Sequence, residues 1–205
     1  MLSDKLQGIF IQQKAEVAFN GAVEDAIRVL DSVRCLMPLL QHAAKRCISA
    51  LGNGHKLLVC GNGGSACEAQ HLVAELVGRY IENRVSLPAI ALNSDSAVIT
   101  CIANDFGYEY AFARQVRALG RPGDVLIVFS TSGQSPNVVE ALKTARELRI
   151  FSAAFLGHSG GSAAPLADCA LIVSHSSTAR IQEAHQFLMH SMMDLIEPEF
   201  ADGLQ

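Results

Sequence analysis

KLLVCGNGGSACEAQHLVAELVGRY, running from Lys56 to Tyr80, decides the fold. Leu57, Leu58, Val59 and Cys60 form a continuous apolar run that ends in glycine, the pattern of a strand buried on both faces of a parallel sheet. Gly61, Asn62, Gly63, Gly64 and Ser65 then let the backbone turn tightly and bring its N–H groups close to a ligand, and the helix that follows adds the positive end of its dipole. An oxyanion or a phosphate suits such a turn. On that helix His71 and Glu75 stand at i and i+4 and project from one face, as a metal-ligating or acid/base pair would. The same spacing also makes ordinary surface ion pairs worth little. Here Leu72, Val73, Leu76 and Val77 leave little room for a fully wet helix.

Downstream the pattern of strand, small-residue turn and helix repeats. Leu87 to Leu92 reads as a second short strand, and VLIVF from Val125 to Phe129 as a third. The third empties into Ser130, Thr131, Ser132, Gly133, Gln134 and Ser135, with Ser135 as N-cap and Pro136 in the first turn of a helix that runs to about Leu148. Hydroxyls and free N–H groups at a helix start make a phosphate nest without a lysine. Phe151 to Leu156 and Cys169 to Val173 supply two more strands, with a loop over Gly157 to Gly161 and a short helix over Ala164 to Ala167 between them. Five strands alternating with helices predict an α/β fold, a three-layer αβα sandwich around a five-stranded parallel sheet of the flavodoxin-like kind.

The remaining segments fit around that sheet. About Ser3 to Leu51 shows helical spacing and reads as two helices, the second broken near Pro38 and stopped by Gly52, Asn53 and Gly54. Residues 1–52 are thus expected to form a helical, oligomerising arm and residues 53–205 the domain built on the parallel sheet. Arg79 to Arg84 reads as charged and exposed. Asn93 to Asp95 is expected to turn the chain, Ala97 to Ala103 to be helical, Asn104 to Gly107 to form a polar turn, and Tyr108 to Leu119 to be helical. The last helix is expected from Thr178 to about Phe200.

Strand-to-helix turns of a parallel sheet share its carboxyl edge, so GNGGS and STSGQS face one rim. GNGGSA also satisfies the loose dinucleotide pattern G-x-G-x-x-A, with Glu82 as a possible ribose ligand. Glu82, however, falls in a charged segment and not at the end of a second strand, and that scheme gives the serine-rich turn no role. A Walker phosphate loop fails because no lysine follows the glycines. On the last helix His190 sits among Leu188, Met189, Met192 and Met193, where a histidine is commonly a satisfied core residue. Gln182, eight positions earlier, shares its side of the helix. Two imidazoles, a carboxylate and an amide oxygen (His71, His190, Glu75 and Gln182) would form a four-ligand site for zinc or a similar divalent ion.

Composition sets the outer limits. The chain has 205 residues, half of them apolar and 18% charged, with a mean hydropathy of +0.25, enough for a large core and for buried subunit interfaces. A net charge of −4 and the lack of any basic block give no general attraction for nucleic acid. No apolar run reaches the roughly 20 residues that span a bilayer, and MLSDKLQGIFIQQKAEV has no signal-peptide pattern. Cys35, Cys47, Cys60, Cys67, Cys101 and Cys169 lack CxxC spacing and mostly sit in apolar runs, as small buried residues of a reducing cytoplasm do.

GNGGSA, the histidine and glutamate four apart, ALNSDS, ANDFGYE, GDVLIVFSTSGQSPNV and RIQEAH together resemble the sugar isomerase (SIS) domain family, and within it the phosphoheptose isomerases, over about Lys56 to Phe200. The resemblance implies a phosphate held by Ser130, Thr131, Ser132 and Ser135, and a substrate lined by Asn62, Gly63, Gly64, Ser65, Asn104, Asp105, Glu75 and Gln182. It also implies a zinc ion on His71, Glu75, Gln182 and His190. Glu75 would be the proton-shuttling base and His190 the acid in an isomerisation of sedoheptulose 7-phosphate to D-glycero-D-manno-heptose 7-phosphate, for lipopolysaccharide heptose. A homotetramer with active sites between subunits is implied as well. The alternative is a non-catalytic SIS protein that binds a partner or senses a sugar phosphate: ALNSDS, QVRALG and TARIQEAH also resemble the bacterial protein that binds the replication initiator DnaA, whose kind lacks the glutamate and the final histidine; this chain has both, as Glu75 and His190, which favours the enzyme.

Overall fold

A computed structural model of the chain describes residues 4–203, with side chains over 11–201, so Ser3, the expected start of the first helix, lies outside the described residues. Strands β1 (Leu57–Gly61), β2 (Ala89–Ala91), β3 (Val125–Ser130), β4 (Phe151–Gly157) and β5 (Cys169–Val173) form one parallel sheet in the order β2-β1-β3-β4-β5. This is the doubly wound, flavodoxin-like order, and its direction reverses between β1 and β3, where ligands bind in such sheets. The register pairs Leu57 with Val125 and Gly61 with Phe129, which sets the carboxyl ends of these two strands side by side. The GNGGS and STSGQS turns therefore open into the same crevice.

Side-chain alternation divides the core in two. Leu57, Val59, Ile127, Phe129 and Phe155 point to the face covered by α2 (Met37–Gly52), α3 (Gly64–Val77) and α7 (Thr178–Ile196). Leu58, Cys60, Leu126, Val128 and Leu156 point to the opposite face, under α5 (Ala113–Leu119) and α6 (Pro136–Glu147). Both faces of the central strands are dry, which is why they read as unbroken apolar runs and not as alternating ones. The end of α1 (Asp4–Ser32) joins the first core through Val29. Upstream, α1 exposes Ile11, Val17, Phe19 and Ile27. No helix among the described residues is long and apolar enough to cross a membrane.

Several local expectations are corrected. The break in the N-terminal helices is a 3-10 turn over Val33–Leu36, and Pro38 lies in the first turn of α2, where its missing N–H is no loss. β2 is shorter than Leu87–Leu92, because Pro88 lacks an N–H and β2 lies at the sheet edge. Asn104, Asp105 and Phe106 do not form a turn: Asp95 caps a helix, α4 (Ser96–Phe106), by accepting from the N–H groups of Ala97 and Val98, and nothing stops it until Gly107 at φ 102°. Tyr108–Tyr110 is a separate 3-10 turn before α5. Ala164–Leu166 is likewise 3-10, and α7 ends at Ile196 with a 3-10 segment after it. Ser135 occupies the N-cap of α6, but its hydroxyl makes no capping bond.

Two expectations about exposure also change. Arg84 is buried, not exposed with its charged neighbours. Cys47, Cys60 and Cys169 are buried, whereas Cys35, Cys67 and Cys101 are exposed. Desolvation holds the Cys47 thiol up at about 12.

Candidate active site

The crevice between β1 and β3 is built from small residues. Gly63 turns the chain at φ 56°, ψ −122°, a conformation that side chains disfavour. Gly133, at φ 63°, packs against the Gly160 backbone with no room for a Cβ. Between the two turns lies a polar cavity of about 80 Å³, lined by Asn62, Ser65, Phe129, Ser130, Thr131, Ser132 and Ser135. Ser130 Oγ accepts from Gly133 N and Ser132 Oγ from Gln134 N, both at 3.1 Å. Because these oxygens already accept, their hydroxyl protons are left to point at a guest, as an anion requires.

Beside it a wider cleft of about 530 Å³ is lined by Asn62, Tyr108, Glu109, Ser135, Pro136 and Asn137. Asn62 and the buried Asn137 exchange amide hydrogen bonds of 2.8 Å in both directions, and Tyr108 Oη donates to Asn62 Oδ1 at 2.9 Å. Asn62 is thus held from two sides at the mouth of the crevice. A larger cavity, about 740 Å³, lies elsewhere, among apolar residues of α1, α2 and α7 such as Ile27, Met37 and Phe187, so size alone does not mark the chemistry.

Away from the rim, α3 and α7 meet along a polar seam. At its top the Gln182 amide fills the space where Gly64 would carry a Cβ. Next comes a buried pair, Glu68 and His185, with Oε2 and Nδ1 3.7 Å apart. Further along, His71 Nε2 meets Glu75 Oε1 at 2.8 Å, and the Gln186 Nε2 amide lies 2.8 Å from His71 Nδ1 and 3.1 Å from His190 Nε2. The imidazoles of His71 and His190 stand edge to face with centroids 5.1 Å apart, and Tyr80 stacks on His190 at 5.6 Å. Burial first, and the nearby Asp194 carboxylate second, push the Tyr80 hydroxyl up, so it stays protonated. One donor atom each from His71, Glu75 and His190 falls within 4.8 Å of the others, a spacing and a chemistry that fit a divalent cation.

The far end of this seam is held by Arg84. Its guanidinium donates to the carbonyls of Glu75 and Leu76 at the end of α3, and to Val85 O at 2.8 Å. Glu197 in turn accepts from the N–H groups of Tyr80, Ile81 and Glu82 at 2.8–3.0 Å. Glu82 is therefore part of a clasp before β2, and not an acid at the end of a strand as dinucleotide binding requires.

The expected residues thus fall into two places: Asn62, Gly63, Gly64, Ser65 and Ser130 to Ser135 at the rim, with Gln182 beside Gly64, and His71, Glu75 and His190 along the seam. Asn104 and Asp105 join neither by a hydrogen bond among the described residues; they bond each other at 2.8 Å on the exposed end of α4. Asn137, Tyr108 and Gln186 carry no role in the sequence pattern and gain one only in the fold. For Gln186 a signal existed, since it lies four positions after Gln182 and four before His190.

Residues 23–157 match the family model described as the SIS domain. A phosphoheptose isomerase of Helicobacter hepaticus is 43% identical over 193 residues, 94% of this chain and 96% of that protein. One from Paramagnetospirillum magneticum is 51% identical over 157 residues, 77% of this chain and 82% of that protein. The solved structure of the phosphoheptose isomerase from Neisseria gonorrhoeae is 41% identical and superposes with a TM-score of 0.83 over 92% of this chain and 99% of that one.

Proposed function

The chain belongs to the SIS-domain family and, within it, to the phosphoheptose isomerases, and from that membership we propose that it converts sedoheptulose 7-phosphate to D-glycero-D-manno-heptose 7-phosphate in the cytoplasm, toward the heptose of bacterial lipopolysaccharide. The observation that carries the assignment of roles is the pairing of a hydroxyl-lined anion cavity with a His71, Glu75 and His190 cluster in one chain. A non-catalytic role, as a DnaA-binding or sugar-phosphate-sensing module, is not what relatives named as isomerases over most of the chain favour.

The phosphate sits between the two turns, where Ser130, Thr131, Ser132 and Ser135 give it donors. Asn62, Gly63, Gly64, Ser65 and Gln182 contact the sugar, joined by Asn104 and Asp105. Interconversion of a ketose and an aldose removes a proton from the carbon beside the carbonyl and returns it to the neighbouring carbon through an enediol. Glu75 takes and returns that proton, and His190 serves the oxygens. A zinc ion would be held by His71, Glu75 and His190, with Gln182, whose amide here lies against Gly64, as the fourth ligand that family resemblance implies, and would polarise the substrate's carbonyl and hydroxyl oxygens. The assembly proposed is a homotetramer with active sites between subunits, supported by the exposed apolar residues Phe19, Ile27 and Phe187.

An assay over several ketose phosphates tests the substrate assignment. The seven-carbon 7-phosphate is expected to give the highest kcat/KM. Preference for a shorter ketose phosphate would overturn the assignment while leaving the isomerase class intact.

A further inference from the structure

Gln186 belongs to none of the roles assigned above, yet it is the side chain that touches both imidazoles. We propose that it is a positioning residue which sets the tautomer of His71 and the mutual orientation of His71 and His190 for cation binding, an inference that rests on the metal reading given above. A primary amide nitrogen has two protons, and here each has an acceptor: His71 Nδ1 at 2.8 Å and His190 Nε2 at 3.1 Å. An imidazole nitrogen that accepts cannot itself be protonated. His71 must then carry its proton on Nε2, which matches the 2.8 Å bond from that atom to Glu75 Oε1.

That arrangement is closed to a cation. For His71 Nε2 and Glu75 to share one, Nε2 must give up its proton, and the neutral ring then carries it on Nδ1. Nδ1–H needs an acceptor where it now faces a donor. A half-turn of the Gln186 amide about its last bond replaces Nε2 by Oε1 at that place and supplies one. The residue therefore serves both states of the ring, as a donor when the site is free and as an acceptor when His71 is committed to a cation. Leucine at this position can fill the space but can do neither, whereas a glutamate can accept.

The test is zinc affinity, measured by competition with a chromophoric chelator, on the full-length protein and the variants Gln186→Leu and Gln186→Glu. Gln186→Leu is expected to bind zinc on the order of 10 to 100 times more weakly, as loss of the partner that orients a ligand generally does, with Gln186→Glu close to wild type. In the metal-free wild type, nitrogen NMR of the imidazoles is expected to show His71 protonated at Nε2, and in Gln186→Leu a mixture of tautomers. Thermal unfolding of the metal-free variants controls for simple loss of fold. Wild-type affinity in Gln186→Leu, or equal weakness in Leu and Glu variants that both fold, would overturn the role of Gln186 alone. A wild type that fails to bind zinc would overturn the metal reading and this inference with it.

Discussion

The Nε of Arg84 lies 3.3 Å from Glu197 Oε1, and both side chains are shut away from solvent. This ion pair ties the end of α3, which carries Glu75, to the segment after α7, which carries His190. Burial raises the Glu197 carboxyl, but the N–H groups of Glu82, Ile81 and Tyr80 and the charge of Arg84 outweigh it and hold it below its ordinary value of 4.5. A carboxyl depressed on folding contributes stability that is present above its unfolded pKa and lost as pH falls through the folded one.

Glu197→Gln is therefore expected to lower stability by about 3–5 kcal/mol near neutral pH, because it leaves the Arg84 charge buried without its partner. Chemical denaturation as a function of pH checks this. The gap between wild type and variant should be constant above about pH 5 and shrink below the ordinary value of 4.5. A gap that widens on acidification would contradict the sign.

Tyr108→Phe removes the donor that, with Asn137, holds Asn62 at the mouth of the crevice. A lost hydrogen bond of this kind is worth roughly 1 kcal/mol, so kcat/KM is expected to fall by about five-fold with little change in melting temperature. Steady-state kinetics beside a thermal melt reads both.

Gly64→Ala places a methyl where the Gln182 amide now sits. The amide must move, since the backbone at the start of α3 is fixed by the turn. The expected result is a folded protein with activity reduced by about ten-fold or more, as small misplacements at a reacting centre produce. Activity at the wild-type level would show that the position of Gln182 is unimportant.

Inorganic phosphate is expected to compete with substrate, and Ser130→Ala and Ser132→Ala to weaken that inhibition. Each variant removes a hydroxyl that accepts a backbone N–H of the turn and can donate to the guest. Loss of one such charge-assisted bond is worth roughly 1.5–3 kcal/mol, about a ten- to hundred-fold rise in the phosphate inhibition constant.

The sheet and its rim were legible because their signals are local. VLIVF and LLVC are dry on both faces and so read as strands without alternation, and each ends in the turn residues that line the crevice. His71 and Glu75 were legible by spacing alone. What could not be read is whatever depends on contacts distant in the chain. Nothing around Arg84 distinguishes it from the charged neighbours Arg79 and Glu82 until Glu197 is packed against it. Asn137 likewise sits in the quoted stretch GQSPNV as one more polar helix residue, and gains meaning only when Asn62 folds onto it. The end of α4 reads as a turn because a polar sequence, Asn104 and Asp105, lies on a helix that the remote cap Asp95 has already set.

The isomerase role of Glu75 is tested most directly by the rate at which aldose 7-phosphate forms from sedoheptulose 7-phosphate with the zinc-supplied wild type and with Glu75→Gln. Steady turnover is expected of the wild type and a loss on the order of 10²–10⁴-fold in the variant, the range associated with removing a general base. No aldose from the wild type, or a near-normal rate from Glu75→Gln, would contradict that role.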